Sequence, residues 1–309
     1  MKKQTLNPAL ATRWAQLAHA HYLNALMSVA DWGARQFAFH GGTSLHLSWS
    51  SARYSEDLDF LLSREVQNVE KVLAKVFAIM REQFRAIDPQ FAIDIKDKSK
   101  DPQRMLSFHI TVSHAAYMGS AMVKAEFWRA DAAYLQNYPT QFRTPVAQGD
   151  IVLRVMNPVP AATLETAYAD KLTAFATRPY LKWRDVYDLW WIGTQSSAQI
   201  NAQSAAQQFV HNVKAYTPVD GLSASNALRK FLTQERQTII AKANPDLKRW
   251  LPDSLWRSLN PHGIEQMVDY VFYALQAVAN AVDNLETPGA AAMLPTVDLR
   301  RVPAAKHTP

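Results

Sequence analysis

The feature that most constrains this chain is an apolar run that leads into two adjacent glycines. Residues 37–39 are Phe-Ala-Phe and predict a buried strand, and Gly41 and Gly42 follow almost at once. Glycine lets a backbone approach a phosphate closely and adopt positive φ. A helix is predicted at residues 43–50, and its first amides would face such an anion. The pattern therefore predicts a strand, a phosphate-binding turn and a helix.

Two aspartates lie on the next predicted strand, at residues 57–62. Because residues two apart on a strand point to the same face, Asp57 and Asp59 would present two carboxylates side by side, while Leu58 and Phe60 enter the core. Hard oxygen ligands on a rigid strand suit Mg²⁺, with Mn²⁺ as a substitute; Mg²⁺ completes its shell with water and substrate phosphates. Together with the glycines, the aspartates predict a nucleoside-triphosphate site.

Composition sets broad limits on the class of protein. The 309 residues are 48% hydrophobic and include no cysteine, which excludes disulfides, thiolate zinc sites and cysteine nucleophiles. We expect no membrane partner, since no apolar run approaches the roughly 18–20 residues of a membrane span. No signal peptide is apparent, and cytoplasmic residence is the expectation. The net charge of +6 is compatible with a nucleic-acid partner and equally with none.

Hydrophobic periodicity predicts an α+β first part with a mixed or antiparallel sheet, followed by a mainly helical part. Helices are predicted at residues 8–32 and 66–84. Further strands are predicted at residues 91–95, 106–112, 122–128 and 151–156. After residue 160 helical spacing dominates to about residue 285, with breaks at 216–221, 244–245 and 259–263. We therefore predict a catalytic domain at 1–160, a helical domain at 161–286 and an irregular tail at 287–309.

The motif segments resemble those of a known superfamily. Gly-Gly-Thr-Ser-Leu at residues 41–45 and Arg-x-Ser-Glu-Asp-Leu-Asp-Phe at residues 53–60 are similar to the signature of nucleotidyltransferases related to DNA polymerase beta. More narrowly, they resemble the AbiEii-type toxins of type IV toxin–antitoxin systems. The resemblance implies a nucleotidyltransferase-fold first domain, a helical second domain that completes the nucleotide site, and an active site in the cleft between them.

The resemblance also directs attention to a third carboxylate and to the residues around the glycines. Glu126, on the strand predicted at 122–128, is similar to the family's third acidic residue, which helps to activate the incoming hydroxyl; alternatively, it pairs with Lys124. Thr43 and Ser44 could cap the helix or bind phosphate. Arg53 could bind a phosphate or hold Glu56.

A second group of residues resembles the family's later motifs. Lys171, on a predicted helix, would contact the β- or γ-phosphate, and Lys182 and Arg184 would precede a further helix and reach phosphate or RNA. Asp185 and Asp188 would share one face of that helix. The alternative is an ordinary salt-bridged helical hairpin. The three tryptophans Trp183, Trp190 and Trp191 are interpreted as packing residues.

The resemblance implies a Mg²⁺-dependent toxin that transfers a nucleoside monophosphate from an NTP to an acceptor, the tRNA 3′ end or another RNA, with a separately encoded antitoxin. The predicted catalytic residues are Asp57, Asp59, Glu126 and Asp185. The predicted nucleotide-binding residues are Gly41, Gly42, Thr43, Ser44, Lys171, Lys182 and Arg184. Two alternatives stay open: transfer of AMP to a protein hydroxyl, and a non-catalytic nucleotide- or RNA-binding module.

Overall fold

The computed structural model describes residues 3–146, 157–216, 221–286 and 296–300. The chain divides into two compact units, with the division between Thr163 and Leu164. The strand predicted at residues 151–156 lies outside the described residues. The domain ranges stay predictions.

The N-terminal unit combines helices with a mixed sheet. Its described helices are α1 (Pro8–Val29), α2 (Gly41–Trp49), α3 (Val69–Ile87) and α4 (Ala132–Gln136). Its described strands are β1 (Gln4–Thr5), β2 (Phe37–His40), β3 (Asp57–Ser63), β4 (Phe91–Asp97), β5 (Met105–His114), β6 (Tyr117–Met118), β7 (Ser120–Ala130), β8 (Thr140–Arg143) and β9 (Val159–Ala162). The strands form a large sheet in the order β4-β5-β7-β3-β2-β9-β8, and β1 pairs separately with β6.

Both parallel and antiparallel pairs occur in the large sheet, which confirms the predicted α+β class with a mixed sheet. Strand β3 runs parallel to β7 and antiparallel to β2. Strand β9 runs parallel to β2, so β2 and β3 lie in the interior of the sheet. The two acidic residues of β3 are therefore held on a strand with hydrogen-bonded neighbours on both sides.

One face of the sheet is apolar and is buried by helices. Leu58 and Phe60 are fully buried, and the ring centroid of Phe60 lies 4.7 Å from that of Phe127 on β7. Helix α1 packs Tyr22 against Phe60, and α3 packs Phe77 against Phe108. Each such side chain stabilises the fold by about 1.5–3 kcal/mol through burial. Alternation along β3 then places Asp57 and Asp59 on the opposite face.

The start of α1 follows from its sequence. The Asn7 side chain accepts a hydrogen bond of 2.9 Å from the Leu10 amide, and Pro8 occupies the first helical position, where its missing N–H has no cost. Trp14, Ala18 and Tyr22 recur at helical spacing and are buried.

The strand content continues past the predicted change at residue 160. Strand β9 contains Pro160 and is fully buried, with Ala161 in register with Phe39. Sequence patterns disfavour a central strand in a segment that contains proline, because proline has no N–H to donate to a neighbouring strand. Strand β8, which pairs with β9, was not predicted either. Helix α2 begins at Gly41 rather than at Thr43, so the predicted glycine turn is the first turn of this helix.

The C-terminal unit is helical in its described part. Its helices are α5 (Leu164–Thr177), α6 (Trp183–Thr194), α7 (Ala202–Tyr216), α8 (Gly221–Leu232), α9 (Arg236–Ala241), α10 (Ala243–Leu247), α11 (Asp253–Leu259) and α12 (His262–Glu286). The break predicted at residues 244–245 lies earlier, at Lys242 between α9 and α10, because Pro245 occupies the first turn of α10, where no amide donor is needed. Part of the predicted tail packs on this unit: Leu299 is buried and donates its amide to Ile200. Among the described helices, none has the length and apolar composition of a bilayer span.

A buried histidine predicts acid sensitivity of the N-terminal unit. His19 Nε2 lies 2.8 Å from the Glu56 carbonyl oxygen, with His46 and the Tyr54 ring nearby. Burial lowers the pKa of His19 from 6.5 to about 4. Between these values the unfolded chain binds more protons than the folded chain, so the free energy of unfolding falls as the pH decreases. We expect a loss of about 2 kcal/mol from pH 7 to pH 5.

Urea unfolding at the two pH values measures this loss, with His19→Gln as the comparison. The substitution removes the titrating group, so the pH dependence should shrink; the part that remains includes His21 and His46, whose pKa values burial also lowers. An unchanged pH dependence in His19→Gln contradicts the assignment.

Candidate active site

The two carboxylates of β3 lie beside the start of α2. Asp57 and Asp59 are both partly exposed, and Asp59 is in register with His40, the residue that precedes the helix. The first amides of a helix have no partner within the helix and carry the positive end of its dipole. The site therefore combines two metal-type oxygen ligands with a group of anion-binding amides.

Each glycine is required by a close approach. Gly41 has φ +75°, and a Cβ there would overlap the Asp59 carboxylate. A Cβ at Gly42 would overlap the Arg53 guanidinium and lie 2.7 Å from Ser55 Oγ. Arg53 is buried and donates to the Tyr54 carbonyl over 2.9 Å. The glycine motif and the motif at residues 53–60 are thus complementary in shape.

The hydroxyls after the glycines connect α2 to its neighbouring strands. Thr43 Oγ1 donates to the Asp57 carbonyl oxygen, and Ser44 Oγ donates to the Phe39 carbonyl oxygen over 3.1 Å. Both side chains are buried, and the helix has no side-chain cap. These hydrogen bonds hold α2 against β2 and β3. Because both hydroxyl groups are engaged in this way, the backbone amides of this turn are the groups that can bind a phosphate.

Glu126 lies on β7 in register with Asp59, and Lys124 lies in register with Asp57. Ser107 Oγ donates to Glu126 Oε1 over 3.0 Å, which orients this carboxylate toward β5. Within the described residues, no group of three or more His, Asp or Glu side chains could hold a metal ion. Asp57 and Asp59 by themselves fit Mg²⁺, which requires only one or two carboxylates. Glu126 lies on the neighbouring strand, beside this pair of aspartates.

The later predicted residues meet in the C-terminal unit. Lys171 Nζ on α5 lies 3.0 Å from Asp185 Oδ1 and 2.7 Å from Asp188 Oδ2, both on α6. The two carboxylates are 5% and 0% exposed, and Arg178 also pairs with Asp185. We call these four residues the Lys171 cluster. It has the geometry of the salt-bridged hairpin that was the alternative interpretation of these motifs, and it holds the Lys171 ammonium in a defined place.

Lys182 and Arg184 lie at the start of α6. Lys182 is the residue before the helix, whereas Arg184 lies in its first turn, so the prediction that both precede the helix is wrong for Arg184. The Arg184 guanidinium stacks 4.4 Å above the Trp250 ring. Trp183 is buried and donates to the Ile239 carbonyl, as expected of a packing residue.

Sequence reasoning missed a cavity next to the Lys171 cluster. Its volume is about 330 Å³, and Arg178, Lys182 and Lys230 line it together with Asp185. Arg178 could have been noticed from its place between the two motifs. Lys230 comes from α8, distant in sequence, and only the fold brings it there.

Gly41→Ala tests the close approach at the carboxylates. The substitution forces a side chain into positive φ, which costs about 1–2 kcal/mol, and displaces the Asp59 carboxylate. Because a misplacement of about 1 Å can cost roughly a hundredfold in rate, we expect catalytic activity to fall by about that factor. Gly33→Ala is the matched control, since a Cβ at Gly33 meets nothing within 4 Å. Equal activity of the two variants contradicts the requirement.

Comparisons with solved structures identify the fold. The chain is similar to the crystal structure of a candidate nucleotidyltransferase from H. pylori, with 18% identity, a TM-score of 0.52, and coverage of 91% of this chain and 100% of that one. It is also similar to MenT4, a nucleotidyltransferase toxin from Mycobacterium tuberculosis H37Rv, with 20% identity, a TM-score of 0.52, and coverage of 89% and 93%. At these identities the likeness shows the fold. The fold is therefore that of a nucleotidyltransferase.

The family follows from the sequence. A family model described as nucleotidyl transferase AbiEii toxin, type IV toxin–antitoxin system, matches residues 24–258. The chain therefore belongs to the AbiEii nucleotidyltransferase toxin family, as the two motif segments predicted. No curated protein matches the chain at a significant level.

Proposed function

We propose that this toxin transfers a nucleoside monophosphate from an NTP to the 3′ end of an RNA, with tRNA as the favoured acceptor. The observation that carries the proposal is the pair of partly exposed carboxylates, Asp57 and Asp59, beside the glycine start of α2. The family description supports the chemistry and a toxin–antitoxin context. The basic charge of the chain is compatible with an RNA acceptor.

In the proposed mechanism, Asp57 and Asp59 would hold Mg²⁺, or Mn²⁺ in its place. The ion would supply charge neutralisation at the triphosphate. The amides at Gly41 and Gly42 bind phosphate oxygens at the helix N-terminus. The attacking hydroxyl oxygen forms a bond to the α-phosphorus, the bond from that phosphorus to the bridging oxygen breaks, and pyrophosphate leaves.

Glu126 is the proposed acceptor of the hydroxyl proton. Its register position next to Asp59 places it within the same strand pair, and the hydrogen bond from Ser107 holds its carboxylate. Lys171 is the proposed contact to the β- or γ-phosphate, as a compact point charge. Asp185 positions this ammonium, and Lys182 and Arg184 are proposed phosphate or RNA contacts. A cognate antitoxin and cytoplasmic action complete the proposal.

The test is transfer of label from each α-³²P-labelled NTP, with Mg²⁺, to a mixture of total tRNA and cell protein. We expect label in the tRNA band, from one preferred NTP, and none after chelation of the metal. Label in a protein band assigns the alternative activity, AMP transfer to a protein hydroxyl. Binding of NTP without any transfer favours the non-catalytic module.

A further inference from the structure

A row of polar side chains crosses four neighbouring strands on the face of the sheet that carries Asp57. From the carboxylate outward, its members are Asp57 on β3, Lys124 on β7, His109 on β5 and Lys96 on β4. Residues directly opposite each other on neighbouring strands share a face. Because neighbouring strands are about 4.8 Å apart, the row extends roughly 14 Å from Asp57. We call Lys124, His109 and Lys96 the basic row.

The face that carries the basic row is open to solvent. Met122, two residues before Lys124, is 46% exposed, and Met105 on β5 is 44% exposed. The residues that alternate with them, such as Ile110 and Ala125, are fully buried on the opposite face. Large exposed apolar side chains next to cations are suited to a ligand that has both charged and planar apolar parts.

The basic row ends at a connection that is itself rich in cations. The cations of residues 96–104 are Lys96, Lys98, Lys100 and Arg104, and all four are exposed. The acidic residues of this segment, Asp97 and Asp101, accept hydrogen bonds from the amides of Ser99 and Gln103. Asp94 lies 3.5 Å from Lys96 and partly offsets its charge. The cations thus outnumber the acidic residues along this edge.

We propose that the basic row binds the phosphates of the acceptor RNA strand and leads its 3′ end to Asp57 and Asp59. The inference rests on the proposed function and names the surface that this function uses. Lysine side chains supply most non-specific affinity for nucleic acid by neutralising phosphates. The row favours a polyanionic strand over a protein hydroxyl, because a nucleic-acid strand presents several phosphates to the cations whereas a protein hydroxyl has no charge.

The full-length double variant Lys96→Glu/His109→Ala tests the row. Its affinity for fluorescently labelled tRNA, measured at several salt concentrations, should be at least about tenfold weaker than that of the unmodified protein. The slope of log K against log salt should fall by roughly 1, since each phosphate contact contributes about 0.7. The KM for the NTP should not change. Lys71→Glu is the matched control: this exposed residue lies on α3, which packs on the opposite face.

Asp94→Asn is expected to change the affinity for tRNA in the opposite direction. Removal of the carboxylate beside Lys96 should tighten tRNA binding severalfold, a gain that a merely structural role of Lys96 does not produce. Unmodified protein that labels tRNA, together with variants of unchanged affinity and salt slope, overturns the basic row and leaves the transfer activity standing. Unmodified protein that labels protein and not RNA overturns both.

Discussion

Asp59→Asn should lower nucleotidyl transfer by about a thousandfold, the equivalent of about 4 kcal/mol of transition-state stabilisation. The substitution keeps the size of the side chain and removes the charge that would hold Mg²⁺. Asp59 is the carboxylate for which Gly41 leaves space, so its position is set by the helix as well as by the strand. The measurement is transfer of label from the preferred NTP to tRNA, as a function of Mg²⁺ concentration.

Two further measurements make this result specific. Mn²⁺ binding, followed by electron paramagnetic resonance without any RNA, should weaken in Asp59→Asn while its circular-dichroism spectrum stays that of the unmodified protein, which separates loss of the metal from loss of the fold. Asp131→Asn changes an exposed carboxylate that pairs with Arg64 and should behave like the unmodified protein in both assays. Full transfer by Asp59→Asn at the Mg²⁺ concentration that half-saturates the unmodified protein rules out the assignment of the metal to β3.

Asp188→Asn should destabilise the C-terminal unit by about 3 kcal/mol. Asp188 is fully buried, and its carboxylate lies 2.7 Å from Lys171 Nζ. Removal of one member of a buried ion pair leaves the other charge without full compensation in a medium of low polarity. Chemical denaturation of the full chain measures the loss. Asp269→Asn breaks an exposed pair with Arg236 in the same unit and should cost less than about 1 kcal/mol.

The double variant Lys171→Met/Asp188→Leu separates the structural role of the Lys171 cluster from its proposed role in catalysis. Apolar replacement of a buried ion pair is often close to neutral for stability, and Asp185 keeps its pair with Arg178, so this variant should regain most of the free energy of unfolding that Asp188→Asn loses. It lacks the ammonium proposed to bind phosphate, so its nucleotidyl transfer should be lower than that of the unmodified protein. A variant that regains both stability and transfer would show that Lys171 is only structural.

The α+β class with a mixed sheet and the family were predictable because their signals are local. Alternation along residues 57–62 places Leu58 and Phe60 in the core and Asp57 and Asp59 on the other face. This alternation can be recognised without knowing which strands lie on either side. The buried strand β9 was missed because sequence patterns report only such local preferences. Its proline opposes strand structure locally, and its partners β2 and β8 lie elsewhere in the chain.

For the site, the sequence by itself determined which residues are candidates for the chemistry and in what order they occur. Only the tertiary structure decided their surroundings: Arg53 and Ser55 fill the space beside Gly42, Thr43 is bonded to the backbone of Asp57, and Lys171 pairs with Asp185 and Asp188. The physical reason is distance along the chain. Propensity and spacing act over a few residues, whereas these contacts join segments that meet only when the sheet and the helices have packed.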